Sequence, residues 1–166
     1  FNKIWKTNLI ERIKKFEPDF IGVTSMFSQS HDILVQITNE ISSLNKKIEI
    51  GIGGVHVTNS VSDEKTFNKF VNDLINVDYF FLYESDLSFI NFIKVFNEKA
   101  NFSLLAQVAI RYEKDKFLSL TNRLHPSGDA LNTIPALDLM ETSDLTKWGK
   151  IGSFFCLVPK GTKMTT

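Results

Sequence analysis

The 166-residue sequence lacks the features that mark several classes of protein. Its single cysteine, Cys156, excludes a disulfide within the sequence and fits a reducing compartment. Basic and acidic residues balance at 19 each, so neither nucleic acid nor an anionic membrane is predicted as a partner. No apolar run approaches the ~20 residues that span a bilayer, and the first residues do not resemble a signal peptide. These absences predict a cytoplasmic protein.

Three mostly apolar runs are suited to be strands buried on both faces of a sheet. They are Phe20–Phe27, Ile48–Ile52 and Val77–Tyr83. Apolar runs without alternation are typical of parallel sheets, whose two faces are both covered. Between them, apolar residues recur at helical spacing, for example over Ser28–Asn45. The hydrophobic fraction of 43%, with fifteen phenylalanines, is sufficient for a sizeable core.

The order of helices and strands predicts an α/β fold with a doubly wound, mainly parallel sheet, Rossmann-like or flavodoxin-like. A β-hairpin is expected after it, from segments 107–112 and 117–120 around a charged turn. Two domains are predicted: an α/β domain over residues 1–122, and a linker leading into a further domain over 123–166. Because the sequence starts at Phe1 rather than at methionine, we expect it to be a fragment whose sheet is truncated at the N-terminus.

Three loops follow the predicted strands and are the expected place for a ligand. In open parallel sheets, ligands bind outside the carboxyl ends of the strands, where the strand order reverses. The loops are Ser25–Ser30, Gly53–Thr58 and Tyr83–Asp86. Gly53 and Gly54 permit close approach of backbone to a ligand, or serve a tight turn. They match neither the dinucleotide-binding glycine pattern nor a P-loop.

The polar residues of these loops each allow two interpretations. Ser25 and Ser28 are placed to donate hydrogen bonds to a ligand, or to cap the next helix. His56 either points into the crevice or has a structural role. Glu84 and Asp86 are either acidic groups of a site or residues that stabilise a helix start.

No catalytic arrangement is predicted from the spacing of the residues. No serine, cysteine or carboxylate pairs with a histidine in a recognisable pattern. His31 and His125 have no partner at metal-ligand spacing, so no three-ligand metal site is predicted.

Four segments together resemble the cobalamin-binding domain of B12-dependent radical SAM enzymes. Segments Glu17–Ser25, Ile50–His56 and Val77–Glu84 are similar to the family's "PD-apolar-apolar-G-apolar-S", "apolar-GG-x-H" and "apolar-D-apolar-apolar-x-GEGE" blocks. Ile134–Leu139 resembles the linker before the radical SAM barrel. The resemblance covers residues 15–140. The motif D-x-H-x-x-G, which supplies a histidine ligand to cobalt in other cobalamin domains, is absent, as it is in many radical SAM members.

The resemblance implies a corrinoid cofactor, cobalamin, bound at the carboxyl end of the sheet. Its nucleotide tail is expected between the loop that carries the serine and the loop that carries the glycine pair, with loop N–H groups near its phosphate. The cofactor-binding residues that this predicts are Ser25, Phe27, Ser28, Gly53, Gly54, His56 and Glu84.

The catalytic parts of such an enzyme are expected downstream of this sequence. A [4Fe–4S] cluster that binds S-adenosylmethionine takes three thiolates from a C-x-x-x-C-x-x-C motif, and this chain has one cysteine. The expected partners are therefore the corrinoid and the catalytic domain of the same chain. The whole protein would be a radical SAM enzyme, commonly a methyltransferase, and this part would not be catalytic alone.

Two other functions are compatible with the same pattern. One is a nucleotide or nucleotide-sugar binding domain of a transferase. The second is a degenerate Rossmann-like module that binds nothing and packs against a partner domain. The second is favoured by the segment Tyr83–Asp86, which has no glycine where the family has GEGE.

Overall fold

The computed structural model describes residues 2–45, 47–98, 105–112 and 116–118, together with Gly128. These residues belong to the first of two compact units, Phe1–Ala130. The second unit, Leu131–Thr166, lies outside the described residues. Apart from Gly128, so does the predicted linker domain, residues 123–166.

Five helices and five strands alternate over most of the described chain. In chain order they are α1 (Asn2–Phe16), β1 (Phe20–Thr24), α2 (His31–Leu44), β2 (Glu49–Gly53), α3 (Val55–Ser62), α4 (Glu64–Asp73), β3 (Tyr79–Phe81), α5 (Asp86–Glu98), β4 (Val108–Tyr112) and β5 (Lys116–Leu118). A 3-10 turn, Ser28–Ser30, leads into α2. The three predicted strands and the predicted hairpin are present with ends shifted by a few residues.

The strands form one open mixed sheet in the order β1-β2-β3-β4-β5. The first three strands are parallel, whereas β3 pairs with β4, and β4 with β5, in antiparallel orientation. The prediction of a mainly parallel sheet is therefore confirmed for β1–β3, and the predicted hairpin is the antiparallel pair β4–β5. The antiparallel pairing of β3 with β4, which makes the sheet mixed, was not predicted. The hairpin does not stand apart from the sheet but extends it, because residues 108–110 of β4 pair with the whole of β3.

Within the described residues, the order of the parallel strands does not reverse. Strands β1, β2 and β3 follow one another in one direction across the sheet, and β1 has β2 as its one partner among the described strands. When successive right-handed crossovers proceed in the same direction across a sheet, their helices lie on the same face. A ligand was predicted to bind where the strand order reverses. The described sheet contains no such reversal among its parallel strands.

Two apolar cores cover the two faces of the sheet. On one face, residues of α1, α2, α3 and α4 pack against Ile50, Ile52 and Phe80. On the other face, Phe92 of α5 packs with Tyr79 and Phe81. Neighbouring residues of β3 enter opposite cores, as the two-residue period of a strand requires. The α/β class of the fold is thus confirmed, with helices on both faces.

A half-buried aspartate connects strands of the sheet at the residue before β3. Asp78 accepts a hydrogen bond from the backbone N–H of Ile50 at its Oδ2 (2.8 Å), and its own N–H donates to the carbonyl of Ile50 (2.9 Å). Its carbonyl accepts from the backbone N–H of Arg111 (2.8 Å). Burial raises the pKa of Asp78 above 3.8, and the charge of Glu49 adds to this, while the Ile50 hydrogen bond and Arg111 oppose it. Asp78 therefore links β2 to β4 with a carboxyl group whose charged form is disfavoured by folding.

We expect the contribution of Asp78 to the stability of the protein to fall as the pH rises above about 4 through the raised pKa of its carboxyl group. In that interval the folded state binds more protons than the unfolded state, so the free energy of unfolding decreases with pH. Asp78→Asn retains an oxygen acceptor for Ile50 and removes the charge. It should be more stable than the wild type at pH 7, with the difference shrinking towards pH 4. Urea unfolding at both pH values measures this.

Glu11→Gln is the matched control, because it removes one exposed carboxylate from α1. If Asp78→Asn is less stable than the wild type at pH 7, the hydrogen bond and the attraction to Arg111 outweigh the burial of the charge, and the expected sign is wrong.

Among the described residues, no helix combines the length and the apolar character needed to cross a membrane.

Candidate functional site at the carboxyl edge of the parallel strands

The loop after β1 is fixed by hydrogen bonds within the chain. Ser25 is buried, and its backbone N–H donates to the carbonyl of Gly53 (2.8 Å). Its hydroxyl lies 3.2 Å from that of Ser30, and its carbonyl accepts from the backbone N–H of His56 (3.3 Å). Ser30 in turn donates to the carbonyl of Phe27 (2.6 Å). Ser25 thus has internal partners for all its polar groups and shapes the loop.

The loop after β2 depends on one glycine. Gly54 has φ +105° and ψ 173° and precedes α3 directly. Its Cα hydrogens face the loop after β1: a Cβ there would overlap the carbonyl oxygen of Ser25 and lie 2.9 Å from its carbonyl carbon. A Cβ on Gly53 would make only ordinary contact with Phe81 (3.4 Å). The absence of a side chain at Gly54 therefore leaves space for the backbone of Ser25. The contact of Gly54 with a ligand, predicted from the sequence, is not needed to explain this glycine.

The loop after β3 is held from two sides. The backbone N–H of Tyr83 donates to the hydroxyl of Thr58 in α3 (2.8 Å), and Tyr83 has φ 60°. The buried amide of Gln107 donates to the carbonyls of Leu82 (3.2 Å) and Glu84 (2.8 Å). The predicted site residue Glu84 is exposed, and its backbone, rather than its side chain, is what Gln107 positions.

Large apolar side chains are exposed on all three loops. Met26 and Phe27 follow β1, Val55 follows β2 and Tyr83 follows β3; Phe27 is 69% exposed. The first three also line a pocket of about 440 Å³, together with Ser28 and His56. We call Met26, Phe27 and Val55 the apolar edge. Exposed apolar groups gathered at one place mark a surface that binds a ligand or another protein.

A chain of four hydrogen-bonding side chains lies beside the apolar edge. Nε2 of His31 is 3.2 Å from Oδ2 of Asp73, and Nδ1 of His31 is 3.2 Å from Nε2 of His56. Nδ1 of His56 is 3.4 Å from the hydroxyl of Ser60. Both rings also pack against Phe70, with centroids 5.3 and 5.2 Å away. We call Asp73, His31, His56 and Ser60 the histidine chain.

The carboxylate of Asp73 can only accept hydrogen bonds, and this determines which ring nitrogens of the histidine chain carry protons. The carboxylate of Asp73 accepts from Nε2–H of His31, so Nδ1 of a neutral His31 accepts from Nε2–H of His56. Ser60 then donates to Nδ1 of His56. Burial and the neighbouring His31 lower the pKa of His56, which favours this neutral arrangement. Folding thus disfavours a charged His56.

The structure brings four of the predicted site residues together and places the others apart from the pocket. Phe27, Ser28 and His56 line one pocket, and Ser25 lies behind them and fixes their loop. Gly53 and Gly54 position α3, which carries His56. Glu84 belongs to the loop after β3 and is not among the residues that line this pocket.

Sequence reasoning did not find that His31 and Asp73 meet His56. A usable signal was present, because His31 follows the β1 loop and His56 follows the β2 loop, and the carboxyl ends of neighbouring parallel strands lie at one edge. Asp73 ends α4, and only the packing of that helix beside α2 reveals its distance from His31.

The site offers binding chemistry more than catalysis. It has an exposed apolar surface, two coupled imidazoles and, in a neighbouring pocket, the cationic side chains of Lys65 and Lys69. No group of three histidine, cysteine, aspartate or glutamate residues in the described part of the chain forms a metal site. Comparison with known protein families, curated proteins and solved structures finds no match to the chain.

Proposed function

We propose that the chain is the cobalamin-binding domain of a B12-dependent radical SAM enzyme, with a Rossmann-like sheet. The observation that carries the proposal is the position of the apolar edge. It lies at the carboxyl ends of parallel strands, beside polar Ser28 and His56, which is where ligands of open α/β sheets bind. The four sequence segments that resemble this family supply the choice of ligand.

The residues of the apolar edge fit a corrinoid in kind. A corrin is a broad plate with apolar faces and amides at its rim. Met26, Phe27 and Val55 would cover a face, while Ser28 and His56 are polar groups within reach of the rim or tail. Bound cobalamin would supply the methyl-transfer chemistry; these residues would position it and exclude water.

We propose a route for the nucleotide tail that differs from the one implied by the resemblance. Gly54 packs against the backbone of Ser25, so no open slot separates the loops after β1 and β2 at that point. The hydroxyl of Ser25 also has a partner in Ser30. We therefore place the tail outside this contact, along Phe27, Ser28 and His56.

A second candidate function is a packing module that binds no cofactor. It is favoured by Ser25, whose N–H, hydroxyl and carbonyl all have partners within the chain. In that case the apolar edge would be covered by another protein domain. Direct binding of cobalamin distinguishes the two functions.

The test is titration of the whole chain with hydroxocobalamin, followed by desalting and measurement of the visible absorbance that stays with the protein. We expect Phe27→Ser to weaken binding by ~10- to 100-fold, because a phenylalanine that becomes buried contributes about 1.5–3 kcal/mol. Phe27 is exposed, so the fold should be unaffected.

Phe16→Ser is the matched control. Phe16 is as exposed as Phe27 but ends α1, before β1 and therefore away from the carboxyl edge. If the folded wild type retains no cobalamin at concentrations on the order of tens of micromolar, the cofactor proposal is wrong. Equal affinities of Phe27→Ser and the wild type would instead show that the site lies elsewhere.

A further inference from the structure

The facing nitrogens of the two histidines have the geometry of a pair of metal ligands. Nδ1 of His31 and Nε2 of His56 lie 3.2 Å apart, and the ring planes are inclined at 83°. Two imidazole nitrogens that share a tetrahedral metal at about 2.0–2.1 Å each lie at a similar separation. The rings are therefore placed so that one ion can bind between them after a small rotation.

The outer nitrogens of the two rings are held as those of metal-bound histidines are. A ligating histidine almost always donates its other ring N–H to a carboxylate, carbonyl or similar group, which fixes the tautomer and the ring orientation. Asp73 occupies that position for His31, and Ser60 occupies it for His56. Phe70 packs against both rings and restricts them further.

From this geometry we infer that His31 and His56 form a binding site for a divalent transition-metal ion such as Zn²⁺, supported by Asp73 and Ser60. Imidazole suits Zn²⁺, Cu²⁺ and Ni²⁺ and not Mg²⁺ or Ca²⁺, which select oxygen ligands. Both proposals involve His56, but the inference does not depend on the cobalamin proposal, because its test uses a free metal ion and no corrinoid.

The protons balance when the ion binds. His31 already carries its proton on Nε2, towards Asp73, so its Nδ1 lone pair is available. The proton of His56 moves from Nε2 to Nδ1. The Nδ1–H group then donates a hydrogen bond to the hydroxyl of Ser60, whose own hydrogen no longer points at Nδ1. The hydroxyl can accept as well as donate. The ion thus replaces the hydrogen bond between the rings, with no net release of protons from neutral histidines.

Two protein ligands leave positions on the metal open to water or to another molecule. His31, His56, Lys65 and Lys69 line one pocket of about 290 Å³, which is open to solvent. The lysine charges oppose a free cation and favour an anion as an additional ligand of the metal. Lys65→Gln is therefore expected to bind Zn²⁺ more tightly than the wild type does.

The experiment is titration of the whole metal-free chain with Zn²⁺ alone, by calorimetry and by competition with a coloured chelator. We expect saturable binding of one ion per chain. His31→Gln and His56→Gln should each abolish it, whereas His125→Gln, which removes the third histidine, should not. Asp73→Asn should weaken binding by ~10- to 100-fold while leaving the stoichiometry unchanged, as is typical of partners of ligating histidines.

Two controls test whether each variant is folded and whether the ion binds at another site. Circular dichroism of each metal-free variant reports its fold, and Zn²⁺ should raise the melting temperature of the wild type but not of a folded histidine variant. Cys156→Ser should bind as the wild type does. Absence of saturable binding to the wild type would overturn the inference, as would loss of binding in Cys156→Ser or its persistence in either histidine variant.

Discussion

Gly54→Ala is expected to destabilise the protein by ~3 kcal/mol or more, although it adds a single methyl group. Gly54 occupies a region of backbone conformation, φ +105° and ψ 173°, that is populated almost solely by glycine and costs other residues about 1–3 kcal/mol. The new methyl group would also overlap the carbonyl oxygen of Ser25. Overpacking of this kind costs about 1–3 kcal/mol in addition.

The overlap cannot be relieved by a side-chain movement, because the obstacle is backbone. The Ser25 carbonyl also accepts from the N–H of His56, and the Ser25 N–H donates to Gly53. Separation of the two loops would therefore break hydrogen bonds between β1, β2 and α3. We expect the loss of stability to be accompanied by disorder of the carboxyl edge.

Gly53→Ala is the control in the same loop. Its methyl group would lie 3.4 Å from Cβ of Phe81 and would make ordinary contact, and Gly53 does not have a positive φ. Its cost should stay within ~1 kcal/mol, the usual range for a change without strain or a cavity. Urea unfolding of both variants measures the difference. Equal costs for the two would contradict the close approach of Gly54 to Ser25.

The comparison of Gly54→Ala with Gly53→Ala also affects how a loss of cobalamin binding in glycine variants is interpreted. A loss of cobalamin from Gly54→Ala or Gly54→Val would follow from displacement of the loops, whether or not Gly54 contacts the ligand. Phe27→Ser does not have this ambiguity, because Phe27 is exposed. Variants of exposed residues such as Phe27 therefore test cobalamin binding, and variants of Gly54 test the packing of the loops after β1 and β2.

The sequence predicted the parallel part of the sheet because burial on both faces leaves a direct signal. Ile50, Ile52 and Phe80 are completely buried, and they belong to the apolar runs from which strands were predicted. The position of Glu49–Gly53 next to Tyr79–Phe81 followed from the intervening helices. Ends of strands were less accurate, since hydrogen bonding, and not apolarity, defines them.

Helix α3 was missed because its stability comes from packing and not from local preference. Its sequence, VHVTNSVS, is rich in β-branched and small polar residues, which have low helix propensity. Val57 and Ser60, three residues apart, are nevertheless buried against the rest of the fold. The helix also places His56 over the sheet edge, so missing it hid the contact of His56 with His31.

The antiparallel half of the sheet was predicted as a hairpin but not as part of the sheet. Pairing of β3 with β4 depends on contacts between residues about thirty positions apart, such as the guanidinium of Arg111 and the carbonyl of Val77 (2.8 Å). The same guanidinium donates to the carbonyls of Val71 (2.9 Å) and Leu74 (3.2 Å) at the end of α4. Neither charge pattern nor periodicity indicates such a contact.

Phe92→Ala is expected to cost ~3–5 kcal/mol, the range found when a buried phenylalanine is truncated and its cavity is left behind. Phe92 is completely buried in α5. Its ring centroid lies 4.7 Å from that of Tyr79, 5.0 Å from that of Phe81 and 5.1 Å from that of Phe20. Such pairs add about 0.5–1.5 kcal/mol to the effect of burial.

The position of Phe92 makes it a test of how the second face of the sheet is covered. Tyr79 and Phe81 come from β3, and Phe20 comes from β1, so the ring cluster joins α5 to strands on either side of β2. Small domains have ~5–15 kcal/mol of stability in total, so the variant should unfold at a much lower urea concentration. Phe16→Ala, which truncates an exposed phenylalanine, should change stability by less than ~0.5 kcal/mol.

Hydrogen exchange distinguishes a global loss of stability from local release of α5. If α5 alone separates from the sheet in Phe92→Ala, its amides lose protection while those of β2 retain it. We expect loss of protection in both, because Tyr79 and Phe81 alternate along β3 with Phe80, which enters the opposite core. A cost below ~1 kcal/mol would contradict the burial of Phe92 among these rings. Exchange confined to α5 would mean that the two faces of the sheet open independently.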